Sequence, residues 1–380
     1  MMLLEHMGKA ELAARGLPVP RGIVVTSHDA AYEAAVALGG RVVVKAQIPV
    51  GGRGKAGGIL RVPNPSAASM AAGSLLHKKL LGHQVRSVLV EERLNIVQEL
   101  FLGLAVEPGS GRYLALFSDQ GGINIEEVAT QTPARVRRLW LDPLQGLPAD
   151  AARQLAAGLV EEALLPELEK ILAGLYGAFR ERDAIIAEIN PLALLADGRL
   201  VAADCRMEVD DDALYRQPQW QTYKQSLLDE RERRAQEIGV SYVALDGDVG
   251  LIASGAGLGM ASLDMLRLAG LEPANFLDTG GGINRELMRR AVELTLYPDG
   301  VRGELVNLYG GINPMVEAAL GIVDALVAMP RRKPLVVKLL GNRQEEAWAI
   351  LEAEGVPVVK VVQTENAAGK LAELLAGVGR

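Results

Sequence analysis

The sequence predicts two domains of different class, an α+β domain followed by a doubly wound parallel-sheet α/β domain. The C-terminal part alternates short β-rich runs with amphipathic helical runs, each pair separated by Gly or Pro. The first part mixes helices and strands without that alternation, and 380 residues exceed what one hydrophobic core usually organises.

In the C-terminal series, strands are expected over 249–254, 274–277, 304–309, 335–340 and 357–362, with helices over 256–269, 284–296, 314–328, 343–354 and 365–376. Parallel strands covered by helices place their ligand loops at the carboxyl ends of the strands. The first part carries RVVVK ahead of a glycine-rich segment, then VLVEE, YLALFS and AIIAEINPLALL. Pro166, inside LVEEALLPELEKIL, is expected to divide that stretch into two helices, because proline lacks a donor and clashes one turn back. The polar stretch QWQTYKQSLLDERERRAQEIGV ends just before the regular series begins, which sets the expected domains at 1–232 and 233–380.

Composition narrows the function. With 49% hydrophobic, 23% charged and 4% aromatic residues, the chain reads as a globular enzyme. A net charge of -7 argues against a nucleic-acid face but leaves room for a local cationic pocket. The single cysteine, Cys205, excludes an internal disulfide framework, and His6, His28, His77 and His83 form no close metal-ligand pair. No export signal is evident, and no apolar run reaches the roughly 18 residues of a membrane span. The expectation is a cytoplasmic protein with neither membrane nor nucleic acid as partner.

Three motifs carry chemistry. Between Lys45 and Gly58, five glycines surround Arg53 and Lys55 directly after an apolar strand. Glycine lets backbone N–H groups approach an anion while the cations neutralise it, so a polyphosphate is the expected guest and a flexible surface loop the alternative. Lys55 is followed by Ala56, without the hydroxyl a P-loop uses on Mg²⁺, so the metal must be held elsewhere. A hairpin turning at Ala196-Asp197-Gly198 would bring Asn190 and Asp204 together as oxygen ligands, although the same residues also suit an ordinary capped hairpin. Third, Tyr309-Gly310-Gly311-Ile312 ends a strand and feeds a helix expected to begin at Asn313-Pro314. Such a helix start offers N–H groups and a positive dipole end to an anion, and equally is a common glycine turn. The cluster Ser254-Gly-Ala-Gly-Leu-Gly259 is not a dinucleotide fingerprint, since Met260 stands where its third glycine belongs.

Taken in order, GGRGKAGG, GGINIEEVA, EINPL, ALYRQP, NFLDTGGG and YGGI resemble the succinyl-CoA synthetase β-subunit family over essentially the whole chain. The resemblance implies an N-terminal ATP-grasp domain followed by a flavodoxin-like CoA-ligase domain. By matching position it implies phosphate contacts from Lys45, Gly52, Arg53 and Gly54, and nucleoside contacts from Glu91, Leu94 and Glu99. Asn190 and Asp204 match the Mg²⁺ ligands, and Pro20 stands where ATP-using members carry proline. The implied cofactors are ATP and Mg²⁺. The implied partner is an α subunit carrying the phosphohistidine and the CoA site, because none of the four histidines lies beyond residue 83. Glu188 resembles the glutamate that contacts that histidine, while Gly310, Gly311 and Ile312 resemble this chain's share of the phosphohistidine site.

Several positions depart from the family pattern. Ser254 replaces an asparagine that helps hold the acid, Asn313-Pro314-Met315 removes charge after GGI, and Arg206-Met-Glu-Val-Asp-Asp-Asp follows the metal aspartate. Three readings stay open: a ligase subunit using succinate, a paralogue for another acid such as malate or citrate, and a non-catalytic nucleotide-binding paralogue.

Overall fold

The computed structural model describes residues 1–312 and 314–378. It divides into two compact units, Met1–Gln221 and Thr222–Arg380.

In the first unit every strand pairing is antiparallel. The strands Gly22–Val25, Val88–Glu92, Val42–Ala46 and Ile59–Val62 lie side by side in that order. The β-branched Val42 and Val44 are fully buried, and the helices His28–Ala37 and Pro65–Leu75 supply small alanines to the same core. Both helices start where a side chain satisfies an open N–H: Ser27 accepts from Ala30 N, and Asn64 from Ala67 N. A second sheet, of order Leu200–Ala202, Ala184–Leu195, Ile96–Val106, Tyr113–Ser118 and Val136–Leu141, has Arg206–Val209 added against its long central strand. The helix Leu165–Glu181 buries Leu168, Ile171, Leu172, Leu175 and Phe179, a stripe at helical spacing. Pro166 sits in its first turn with only a single 3-10 turn, Glu162–Leu164, ahead of it, so the expected division into two helices does not occur. Proline costs nothing there, because the first-turn N–H groups have no intrahelical partner.

The second unit holds a mixed sheet of order Ser241–Ala244, Asn275–Asp278, Val249–Ala253, Gly303–Gly310 and Leu335–Gly341. The last four strands run parallel, and Ser241–Ala244 joins the edge antiparallel. The helices Ala256–Leu268, Arg285–Leu296, Met315–Ala328, Gln344–Ala353 and Thr364–Val378 follow the expected series within a residue or two at each end. The strand expected over 357–362 is absent: Val358 makes one bridge to Val337, and the chain then leaves the sheet with Val362 exposed. Pro357 brings no N–H to the ladder, and Lys360 instead pairs with Glu352 at 2.7 Å and covers the Trp348 ring. The helix after the YGGI loop is capped by Pro314 and begins at Met315. The part of that expectation resting on Asn313 lies outside the described residues. Among the described residues no helix is long and apolar enough to cross a membrane.

Candidate functional site

One cleft of about 1570 Å³ in the first unit gathers Pro20, Lys45, Gly52, Arg53, Gly54, Glu91, Leu94, Glu99, Glu188, Asn190 and Asp204. These come from segments far apart in sequence. Lys45 and Glu91 lie on adjacent strands, Gly52, Arg53 and Gly54 on the following loop, and Glu188 and Asn190 on the long strand Ala184–Leu195. The glycine loop is a closed turn in which Gly58 N donates to Arg53 O at 2.8 Å. Gly52 has φ 78, a conformation that disfavours any residue with a Cβ. Leu94 packs on Ala193, Leu195, Val201 and Ala203, which fixes the backbone at that rim of the cleft.

The floor of the cleft is a buried charge cluster. Lys45 Nζ reaches Glu5 at 2.8 Å and Glu91 at 2.6 Å, and donates to Ala203 O at 2.7 Å. Lys9 contacts the same Glu5 and Glu91 at 2.8 and 2.5 Å. Arg53 lies 2.8 Å from Glu5 through Nη1 and donates through Nη2 to both Asp204 oxygens, at 2.8 and 3.0 Å. Burial alone would raise the Glu5 carboxyl, but Lys9, Lys45 and Arg53 hold it well below the usual carboxylate range. Burial likewise opposes the Lys45 ammonium, yet Glu5 and Glu91 raise its pKa above that of an ordinary lysine. Asp204 behaves differently: burial, with Glu5 adding to it, pushes its carboxyl up against the pull of Arg53 and Lys45.

Asn190 faces this cluster with its amide already oriented. Its Oδ1 accepts from Gly122 N at 2.7 Å, and its Nδ2 donates to Ile123 O at 3.0 Å. Glycine is required at position 122, since φ is 73 and a Cβ there would stand 1.8 Å from Glu99 Oε2. The GGIN segment thus ties Glu99 and Asn190 to one turn. Asn190 and Asp204 flank the hairpin as expected, with Ala203 N donating to Pro191 O at 3.1 Å. An oxygen pair of this kind suits Mg²⁺, which binds through one or two protein oxygens and leaves its other positions to phosphate and water. Among the described residues no group of three or more His, Cys, Asp or Glu is placed to hold a metal ion. Glu188 pairs loosely with Arg206 at 3.8 Å. Burial raises its pKa against that arginine, with Asp204 and Glu126 adding to the rise.

The remaining expected residues meet at the carboxyl ends of strands in the second unit. Tyr309 N donates to Ser254 Oγ at 2.8 Å, and the hydroxyl donates back to Tyr309 O at 3.2 Å. Ser254 is thereby fastened beside Gly310, Gly311 and the 91% exposed Ile312. The helix start is partly engaged: Met315 N donates to Asn342 O at 2.9 Å and Glu317 N to Pro314 O at 3.2 Å. Asn342 in turn binds Gly310 O through its N–H and Ile312 O through its amide, at 3.0 and 3.3 Å.

Sequence reasoning missed Glu5, Lys9 and Asn342. Glu5 and Lys9 stand one helical turn apart beside Gly8, whose Cβ would meet Cys205 Sγ at 2.8 Å, so this helix packs directly on the segment next to Asp204. The available signal was that spacing, which also fits an exposed helix face.

Residues 2–194 match the ATP-grasp domain family and residues 252–372 the CoA-ligase family. Similar proteins include a succinate–CoA ligase [ADP-forming] subunit beta 2 from Streptomyces coelicolor, 40% identical over 99% of this chain and 97% of that protein. The succinate–CoA ligase [ADP-forming] subunit beta of Rubrobacter xylanophilus is 42% identical over 94% of each. A succinate–CoA ligase [GDP-forming] subunit beta from Thermus thermophilus is 38% identical over 99% of this chain and 100% of that one. Among solved structures, the fold matches an ATP citrate lyase from Methanothrix soehngenii at TM-score 0.76 and 19% identity, covering 99% of each chain.

Proposed function

Since the chain belongs to the succinate–CoA ligase β-subunit family and is a ligase subunit, we propose that its first-unit cleft binds Mg-ATP and that it works with an α subunit to join succinate to CoA. The observation that carries this reading is the meeting of Lys45, Arg53, Glu91, Glu99, Asn190 and Asp204 in one cleft. Lys45 and Arg53 supply charge to phosphate, Glu91 and Glu99 with the Leu94 backbone meet the nucleoside, and Asn190 and Asp204 hold the metal. Bound there, Mg²⁺ would neutralise phosphate charge as the γ-phosphoryl group leaves. Glu188 orients an incoming imidazole and stabilises its cation. That imidazole belongs to the partner, since no histidine lines the described cleft. Pro20 on the cleft wall favours ATP over GTP. The domains of this reading are a nucleotide-binding domain over 1–232 and a CoA-ligase domain over 233–380. In the second, Ser254 marks the acid side, its hydroxyl bonded to Tyr309, and Gly310, Gly311 and Ile312 offer the loop for the acid and the phosphohistidine.

A second reading, in which the acid is malate or citrate, is favoured by one observation: the Ser254 hydroxyl is spent on Tyr309, where the family asparagine would face the acid. Co-expression with the α subunit of the same genome, followed by CoA-dependent ADP release on a panel of acids, separates the two. Turnover with succinate supports the first, turnover with another acid alone supports the second, and nucleotide binding without turnover on any acid refutes both.

A further inference from the structure

The floor of the cleft contains a competition. Arg53 Nη2 is shared between Asp204 Oδ1 and Oδ2, and Oδ1 also accepts from Cys205 N at 2.7 Å. A phosphate needs the N–H groups of Nη2, and a cation needs the Asp204 oxygens that Nη2 covers. Nη1 is held separately, by Glu5 at 2.8 Å and Ala46 O at 3.3 Å, so Arg53 has a second anchor that does not depend on Asp204. Glu5 is itself fixed by Lys9 and Lys45, and its side chain is fully buried.

We infer that the Arg53–Asp204 ion pair couples nucleotide binding to metal binding, with Glu5 the positioning residue that keeps Arg53 in the cleft when Asp204 releases it. The cluster is balanced: Lys9, Lys45 and Arg53 face Glu5, Glu91 and Asp204. A polyphosphate that draws Nη2 away leaves Asp204, only 21% exposed, without its direct ion-pair partner, which is costly unless a cation replaces the arginine. A cation on Asp204 does the reverse and frees Nη2 for phosphate. Each ligand therefore raises the affinity for the other by the same factor. Simple repulsion between Asp204 and phosphate would also make the metal helpful. Only the exchange makes the contribution of Arg53 depend on whether metal is present.

The inference rests on the cleft being a nucleotide site, and one set of titrations tests both. ADP binding to the full chain is measured by calorimetry in excess Mg²⁺ and in EDTA, for the unsubstituted chain, Arg53→Met, Asp204→Asn and the double variant. Arg53→Met is expected to weaken Mg-ADP by about tenfold and metal-free ADP by less than about twofold. In the Asp204→Asn background, where nothing holds Nη2, the same substitution is expected to weaken metal-free ADP by about tenfold. Equal losses in all three conditions overturn the coupling while leaving the nucleotide site intact. Failure of the unsubstituted chain to bind Mg-ADP overturns the site and the coupling together. If Arg53→Met does not fold, Arg53→Lys keeps a cation beside Glu5 but cannot span both carboxylates, and its cycle is read the same way.

Discussion

Glu304 offers a test of how the second unit tolerates a buried acid. It lies near the start of the strand Gly303–Gly310 with no exposed surface, and Oε2 has no hydrogen-bond partner among the described residues. Its other oxygen contacts the Thr295 hydroxyl, which also reaches Ala291 O at 2.8 Å. A hydroxyl has one proton. With that proton divided between Ala291 O and Glu304 Oε1, Thr295 gives the carboxylate only part of a hydrogen bond. Burial accordingly pushes the Glu304 pKa from 4.5 to about 8, against the opposing effects of Thr295 and Lys333. Because the folded pKa is raised, this acid contributes stability that is complete below the unfolded value and is lost as pH rises towards the folded one. The full shift corresponds to at most about 5 kcal/mol. From about pH 6 to about pH 8 the expected loss is about 2 kcal/mol. Glu304→Gln keeps the shape of the neutral acid and removes the titration. Urea denaturation of the second unit can be followed by Trp348, whose indole donates to Leu339 O at 2.8 Å, in a background of Trp140→Phe and Trp220→Phe. The stability of the parent relative to Glu304→Gln should fall by about 2 kcal/mol over that interval. A constant difference would refute the argument that the folded unit holds this proton.

Lys45→Met leaves Glu5 and Glu91 without one of their buried cations, so it should destabilise the first unit by about 3 kcal/mol in urea denaturation as well as abolish nucleotide binding. Gly122→Ala drives a Cβ towards Glu99 Oε2 in a left-handed turn; it should cost about 2 kcal/mol in stability and weaken ADP binding measured by calorimetry. Glu188→Gln should slow phosphoryl transfer to the partner by about a hundredfold in single-turnover assays while leaving the ADP dissociation constant unchanged. Ser254→Asn places an amide at the carboxyl end of the central strand Val249–Ala253. It should shift kcat/KM among competing acids by about tenfold with kcat/KM for Mg-ATP unaltered; a parallel change for every acid would remove Ser254 from acid selection.

The elements most legible in the sequence were those whose periodicity was not overridden by tertiary contacts. Val249–Ala253, in the middle of the sheet, and Leu335–Gly341, the last strand in its order, are both apolar runs buried on both faces, as strands of a helix-covered parallel sheet are. The segment 357–362 has a comparable run but fails to extend the sheet, because Pro357 lacks a donor and the Lys360 contacts pull the chain outward. Ser241–Ala244 was overlooked for the opposite reason: it is short, and Val243 on it is 51% exposed. In the cleft, the glycine loop and hairpin were legible because each is local. Glu5 was not. Its partners Lys45 and Arg53 lie far along the chain, and a Glu–Lys pair one turn apart on a terminal helix looks the same whether it meets water or a buried cluster.

The placement of the four histidines bears directly on the proposed need for a partner chain. His6 is committed to Gln47, with its backbone N–H and Nδ1 at 3.1 and 3.0 Å from Oε1. His28 is an exposed helix-start residue beside Asp29, His83 pairs with Leu80 in a small hairpin, and His77 precedes that hairpin with its N–H on Val85 O. None is among the residues that line the cleft, whose floor instead holds the balanced cluster of Lys9, Lys45, Arg53 and three carboxylates. On the proposed reading this cluster binds and aligns a polyphosphate, while its carboxylates are paired with cations. The second unit presents a serine hydroxyl already bonded to Tyr309 and a helix start with two of its first-turn N–H groups in use. On the reading proposed above, the acceptor of the phosphoryl group is a histidine of the partner subunit rather than one of these four. Incubation of this chain alone with γ-labelled ATP should leave it unlabelled, and label retained on any of its four histidines would overturn the need for that partner.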